Sequence, residues 1–185
     1  DGRADYALTN CSDGSRKVAS EAWICSGRDG HILVRLPGMQ WSETLGWEHF
    51  TGSAARSADL DGDGIPDVAI STNAAEIVPG SAPVRFSEDA RSSLVRIHST
   101  RDGKLLRTLT APEPRANDRF GYELADAGDV DGDGAAELLV GAPGLERAYL
   151  FNGKSGALVR EFTPPHAGGQ FGTAVCGGAD FDGDG

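Results

Sequence analysis

One acidic string constrains this chain more than any other feature, because it recurs in a fixed register. It stands complete as ADLDGDGIPDVAI (Ala58 to Ile70) and as GDVDGDGAAELLV (Gly128 to Val140). Numbered from its first Asp, each copy places carboxylates at positions 1, 3, 5 and 9. These are Asp59, Asp61, Asp63 and Asp67 in the first copy, and Asp129, Asp131, Asp133 and Glu137 in the second. A further copy contributes Asp180, Asp182 and Asp184, and the later positions of a fourth stand as Asp1 and Asp5.

Alternate carboxylates separated by glycines suit a hard cation. Calcium takes about 6 to 8 oxygen ligands in loose geometry, and glycine permits the tight bend that wraps a loop around one ion. The backbone carbonyl at position 7, Ile65 or Ala135, is expected to complete the shell. An acidic, solvated turn is the plainer reading of one such string, but recurrence in a single register argues for calcium. An EF-hand begins in the same way, yet it needs a bidentate acid at position 12 and a helix afterwards. Position 12 here is Ile70 or Val140, and the residues after each loop, DVAI, ELLV and DYAL, read as short buried strands.

The self-similarity reaches beyond the loops, as in arrays and propellers. Phe50, Phe120 and Phe171 each precede a loop by nine residues. Each loop and strand is followed by a hairpin signal, WICSGRDGHILVRL, RIHSTRDGKLLRTL or YLFNGKSGALVREF, with turn glycines at Gly30, Gly103 and Gly156. A unit thus reads strand, acidic loop, strand, connection, strand, Gly turn, strand. The expected fold is all-β, a β-propeller segment of about three four-stranded antiparallel blades, with approximate units 6–67, 68–137 and 138–185. Because antiparallel neighbours alternate direction, the constant acidic loops and Gly turns share one end of each blade, and the connections of variable length share the other. A closed propeller needs about 4 to 8 blades, so the chain is expected to be a segment of a longer one.

The stretch RFGYELADAGDVDGDGAAELLVGAP resembles the FG-GAP repeat of integrin alpha-subunit propellers and their bacterial relatives, through Phe120-Gly121 and Gly141-Ala142-Pro143. The resemblance implies calcium bound in the hairpin between strands one and two, and ligands bound on the opposite, variable face. The first copy departs from the pattern, with Phe50-Thr51 for Phe-Gly and Ser71-Thr72-Asn73 for Gly-Ala-Pro, which puts the packing of its blade in question. On the variable face, Trp41 and Trp47 are placed in a connection between strands rather than within strands, as candidate ligand-binding residues. The competing reading is that both rings cover a blade edge or core.

Composition narrows the partners. The formal net charge is −11, yet the loop positions hold nearly half of the 28 acidic residues, and 17 Lys and Arg roughly balance the rest. Acidity is thus accounted for by cation binding, and a nucleic-acid partner is not expected. No apolar run approaches the ~18 residues of a membrane span. Loops of this kind fill where calcium is millimolar, so the expected setting is extracellular or the cell surface, with a protein or carbohydrate ligand. There Cys11 and Cys25 can pair; buried free thiols are the other reading, favoured for Cys176 on its expected strand. No catalytic residues are expected: His31, His49, His98 and His166 are scattered away from any nucleophile motif, and His98 occupies a packed strand slot. NGKSG lacks the leading glycine of a phosphate loop, since Ala148 stands there. The docking Trp of quinone-dependent dehydrogenase propellers is absent after the turn glycines. The alternative left open is a non-catalytic or substrate-binding propeller within a larger secreted polysaccharide lyase or phospholipase.

Overall fold

Short β-rich runs between glycine turns fold into three antiparallel sheets in the computed structural model, which describes residues 4–10, 21–37, 41–42, 46–75 and 93–179. The first sheet contains β1 (Tyr6–Asn10), β2 (Glu21–Cys25) and β3 (Ile32–Pro37), in that order. The second is ordered β4 (Trp41–Ser42), β5 (Gly46–Arg56), β6 (Val68–Ala75), β7 (Leu94–His98) and β8 (Leu105–Leu109). The third contains β9 (Leu124–Gly128), β10 (Glu137–Ala142), β11 (Arg147–Phe151) and β12 (Leu158–Phe162). Within each sheet, every strand pairs with its neighbour in sequence, which is the meander of a propeller blade. No helix occurs among the described residues, and hence none long and apolar enough to cross a membrane.

The residues after the acidic loops read as buried strands for a physical reason visible here. Ile70 and Val140, at the position where an EF-hand needs its acid, lie in β6 and β10 and are fully buried. Burial is shared between sheets rather than confined to one. Ala22, Ile24 and Leu36 of the first sheet pack with Val68 and Ile70 of the second. Ala69, Val95 and Ile97 of the second join Leu138, Val140, Tyr149 and Phe151 of the third. Phe120 is seated in that second core, edge-on to Phe151 with ring centroids 5.8 Å apart. Each sheet thus needs its neighbour, as stacked repeats do.

The glycines that name the repeat sit where a side chain has no room. A Cβ on Gly141 would lie 2.0 Å from the Gly172 carbonyl oxygen. Gly121 has φ 81° and would drive a Cβ to 2.8 Å from Val95 of the adjacent sheet. In the departing copy, Ser71 and Thr72 replace the small residues and remain buried. The Ser71 hydroxyl donates to the Ser53 carbonyl at 3.2 Å and accepts from the Ser53 amide at 3.3 Å, so that sheet keeps its packing with polar atoms bonded.

Two expectations are corrected. Trp41 and Trp47 are strand residues: Trp41 in β4 pairs with Trp47 in β5, and Trp47 pairs in turn with Ala75 of β6. β5 and β6 both run on past the blade, and a long strand leaves an edge that another, here β4, can cover. Cys176 is exposed and lies outside any strand. In the other sheets the corresponding strand pairs with the segment after its acidic loop, and no such segment is among the described residues for Cys176. Cys25 is buried with its thiol free, while Cys11 lies outside the described residues.

Candidate metal centres

The two complete loops connect β5 to β6 and β9 to β10, at the same end of their sheets as the Gly turns that join β7 to β8 and β11 to β12. Their curl is set by the first carboxylate. Asp59 accepts the amides of Gly62 at 2.7 Å and Gly64 at 2.8 Å. Asp129 accepts those of Gly132 at 2.8 Å and Gly134 at 2.9 Å. All four glycines have φ between 76° and 88°, a backbone region that favours glycine. The amide donors, that of Gly64 above all, hold the Asp59 carboxyl below its ordinary range.

This curl gathers oxygen atoms. One carboxylate oxygen from each of Asp59, Asp61 and Asp67 lies within 4.8 Å of the others, and the same holds for Asp129, Asp131 and Glu137. The position-9 acids come from the buried ends of the loops: Asp67 is 2% exposed and Glu137 1%. Asp67 Oδ2 accepts the Leu60 amide at 2.7 Å, whereas its Oδ1 has no hydrogen-bond partner. Burial, followed by the charges of Asp61, Asp59 and Asp63, pushes the Asp67 carboxyl up to about 6. An orphaned carboxylate oxygen buried among like charges is costly without a cation. Hard oxygen donors in a glycine-bent loop, with the Ile65 and Ala135 carbonyls available, fit calcium better than a transition metal.

The position-5 acids lie outside the two three-carboxylate groups. Asp63 accepts the Ile65 amide at 2.8 Å and pairs with Arg101, while Asp133 accepts the Ala135 amide at 2.9 Å and the Asn152 side chain at 2.9 Å. Asn152 is the residue that sequence reasoning missed. Its amide nitrogen donates to Asp131 at 2.9 Å, to Asp133 at 2.9 Å and to Glu137 at 3.2 Å. The signal was present in the alignment of the three hairpin turns, which puts Asn152 level with Ser26 and Ser99. Asp5 occupies the position-9 place of its own loop and accepts the Gly27 amide at 2.9 Å. Asp1, Asp180, Asp182 and Asp184 lie outside the described residues.

The turns dock on the loops in the same way in each sheet. Ser26, Ser99 and Asn152 open turns closed by identical backbone bonds, with Gly30, Gly103 and Gly156 at positive φ. The second turn residue sits on the carbonyl of loop position 8. Gly27 faces Ala4 and Gly153 faces Ala136, where a Cβ would come within 1.8 Å and 1.9 Å of the carbonyl oxygen. In the second sheet Thr100 stands there and donates its hydroxyl to the Pro66 carbonyl at 2.8 Å.

A meander of blade-like antiparallel sheets, two of them pairing a complete acidic loop with a docked Gly turn, defines an acidic-loop propeller class of chain, and comparison with known proteins agrees. The FG-GAP repeat family matches residues 120–157. Integrin alpha-PS2 of Drosophila melanogaster is 28% identical over 204 aligned residues, covering 96% of this chain and 14% of that protein. Human integrin alpha-10 is 30% identical, covering 85% of this chain and 14% of that protein. Human integrin alpha-11 is 29% identical over 60% of this chain. The chain spans between 8% and 14% of the length of these and similar relatives. The chain carries an FG-GAP repeat at residues 120–157 and is integrin-alpha-like in sequence.

Proposed function

We propose that this chain is part of an extracellular, adhesion-type β-propeller whose acidic loops each bind one calcium ion. The ligands are Asp59, Asp61, Asp63 and Asp67 with the Ile65 carbonyl, and Asp129, Asp131, Asp133 and Glu137 with the Ala135 carbonyl. The observation that carries the reading is the buried Asp67 oxygen without a partner, set among converging carboxylates. Bound calcium stiffens one end of each blade, and the other end is free to vary and to bind. There β4, β5 and β6 extend past the blade, and the extension carries Trp41 and Trp47. We assign that end to recognition of an extracellular protein or carbohydrate. By the same logic the incomplete loops, Asp1 with Asp5 and Asp180 with Asp182 and Asp184, belong to further calcium sites.

Thermal melts of the intact protein at graded free calcium test the metal reading. Stabilisation should grow with free ion and shrink in Asp61→Ala plus Asp131→Ala; equal stabilisation in both sinks it. Binding to glycan and matrix-protein arrays, compared between the wild type and Trp41→Ala plus Trp47→Ala, tests recognition. Binding lost at unchanged melting temperature supports it, and unchanged binding removes it.

A further inference from the structure

The two loops are not equivalent, and the difference lies in the turn above each. Over the second loop stands a neutral donor, the Asn152 amide, 8% exposed and bonded to three of the four acids, while Lys154, at the turn place of Arg101, acts on Asp133 through its charge. Over the first loop stands Ser99, whose hydroxyl is turned into its own turn to accept the Arg101 amide at 3.3 Å. The residue that reaches that loop is Arg101. Its Nε donates to the Asp63 carboxylate and its second guanidinium nitrogen to the Asp63 carbonyl at 3.1 Å. The Arg101 side chain is 58% exposed and that of Asp63 17%. A solvent-exposed pair of this kind adds little to folding. It does place a fixed positive charge on the one acid of this loop that stands apart from the Asp59, Asp61 and Asp67 group.

We propose that Arg101 sets the calcium affinity of the first loop by competing with the ion for Asp63. This rests on the calcium reading above and adds a graded response to it. Calcium affinity in oxygen-ligand loops follows the ligand charge count and the rigidity of the site. Arg101 lowers the effective charge count of the first loop and must release Asp63, or share it, when the ion enters. Over the second loop the Asn152 amide carries no charge and holds its acids in place, and Lys154 acts on Asp133 through its charge, whereas Arg101 is hydrogen-bonded to Asp63 directly. The second loop therefore fills at lower free calcium, and the first is the site whose occupancy changes when calcium varies.

Hydrogen exchange of the intact protein in buffered calcium, read on peptides spanning Asp59 to Asp67 and Asp129 to Glu137, gives a midpoint for each loop. The wild-type midpoint should be higher for the first loop. Arg101→Gln should lower it about tenfold, the scale expected for one partly screened charge beside a divalent ion, and leave the second loop unmoved. Arg101→Lys, which keeps the charge, should stay within about threefold of wild type. A first-loop midpoint that stays put or rises in Arg101→Gln, while both loops still respond to calcium, overturns the role of Arg101 alone. A wild type in which neither loop responds overturns the calcium reading and this one with it.

Discussion

Set side by side, the loops from Asp59 to Asp67 and from Asp129 to Glu137 share a backbone and differ in how their last acid is satisfied. In the first, the short Asp67 reaches one amide and leaves an oxygen bare. In the second, Glu137 is longer by one methylene and reaches the Val130 amide at 2.6 Å with one oxygen and the Asn152 amide with the other. The sequence pattern treats Asp and Glu here as one acid. The structure teaches that one methylene and one turn residue separate a loop that is internally satisfied from a loop that is not.

The largest expected effect breaks the docking of turn on loop. Gly153→Ala puts a Cβ against the Ala136 carbonyl and should cost about 3 kcal/mol by thermal or urea unfolding. Thr100→Ala removes one hydroxyl bond at the matching place and should cost about 1 kcal/mol. Equal costs would mean that the two turns seat alike.

Next comes the first acid of each loop. Asp59→Ala and Asp129→Ala each remove a charged ligand and the acceptor of two glycine amides, so each should weaken calcium binding at its own loop by at least about a hundredfold in loop-resolved exchange. A loss at one loop that spreads to the other would show coupling between blades.

The bare oxygen predicts a pH trend in chelator. The Asp67 carboxyl is raised in the folded state to about 6 from an ordinary 3.8. The folded state therefore holds this proton more firmly than the unfolded state does. Its contribution to calcium-free stability should be greatest below pH 3.8 and fall as pH rises through about 6, with about 3 kcal/mol at stake. Asp67→Asn should flatten that slope and raise calcium-free stability at pH 7, because a neutral amide can meet the remaining acids as Asn152 does in the second loop. A wild-type slope that survives Asp67→Asn assigns the trend elsewhere.

The smallest effect sharpens the comparison of side-chain lengths. Glu137→Asp should cost about 1 kcal/mol in calcium-free stability, one buried hydrogen bond, by leaving either the Val130 or the Asn152 contact unmade. Chemical unfolding in chelator reads it directly.

Much of this was legible in the sequence because it follows from local periodicity. Loop spacing, the strands after each loop and the Gly turns are short-range patterns, and the strand place of His98, half-buried at the end of β7, followed from aligning it with Cys25 and Phe151. What was not legible depends on residues brought together across a blade. Asn152 and Arg101 lie 15 and 38 residues from the acids they hold, Glu137 and Asp63. No spacing rule links them. The pairing of Trp41 with Trp47 was not legible for a different reason: SETLG reads as a loop, and the pairing lies where β5 and β6 outrun the blade.

The central claim is that the two complete loops each hold one calcium ion, and counting ions tests it most directly. Isothermal titration of the intact protein with calcium should give two more ions per chain for the wild type than for Asp61→Ala plus Asp131→Ala. The same number of ions in both proteins would contradict the account.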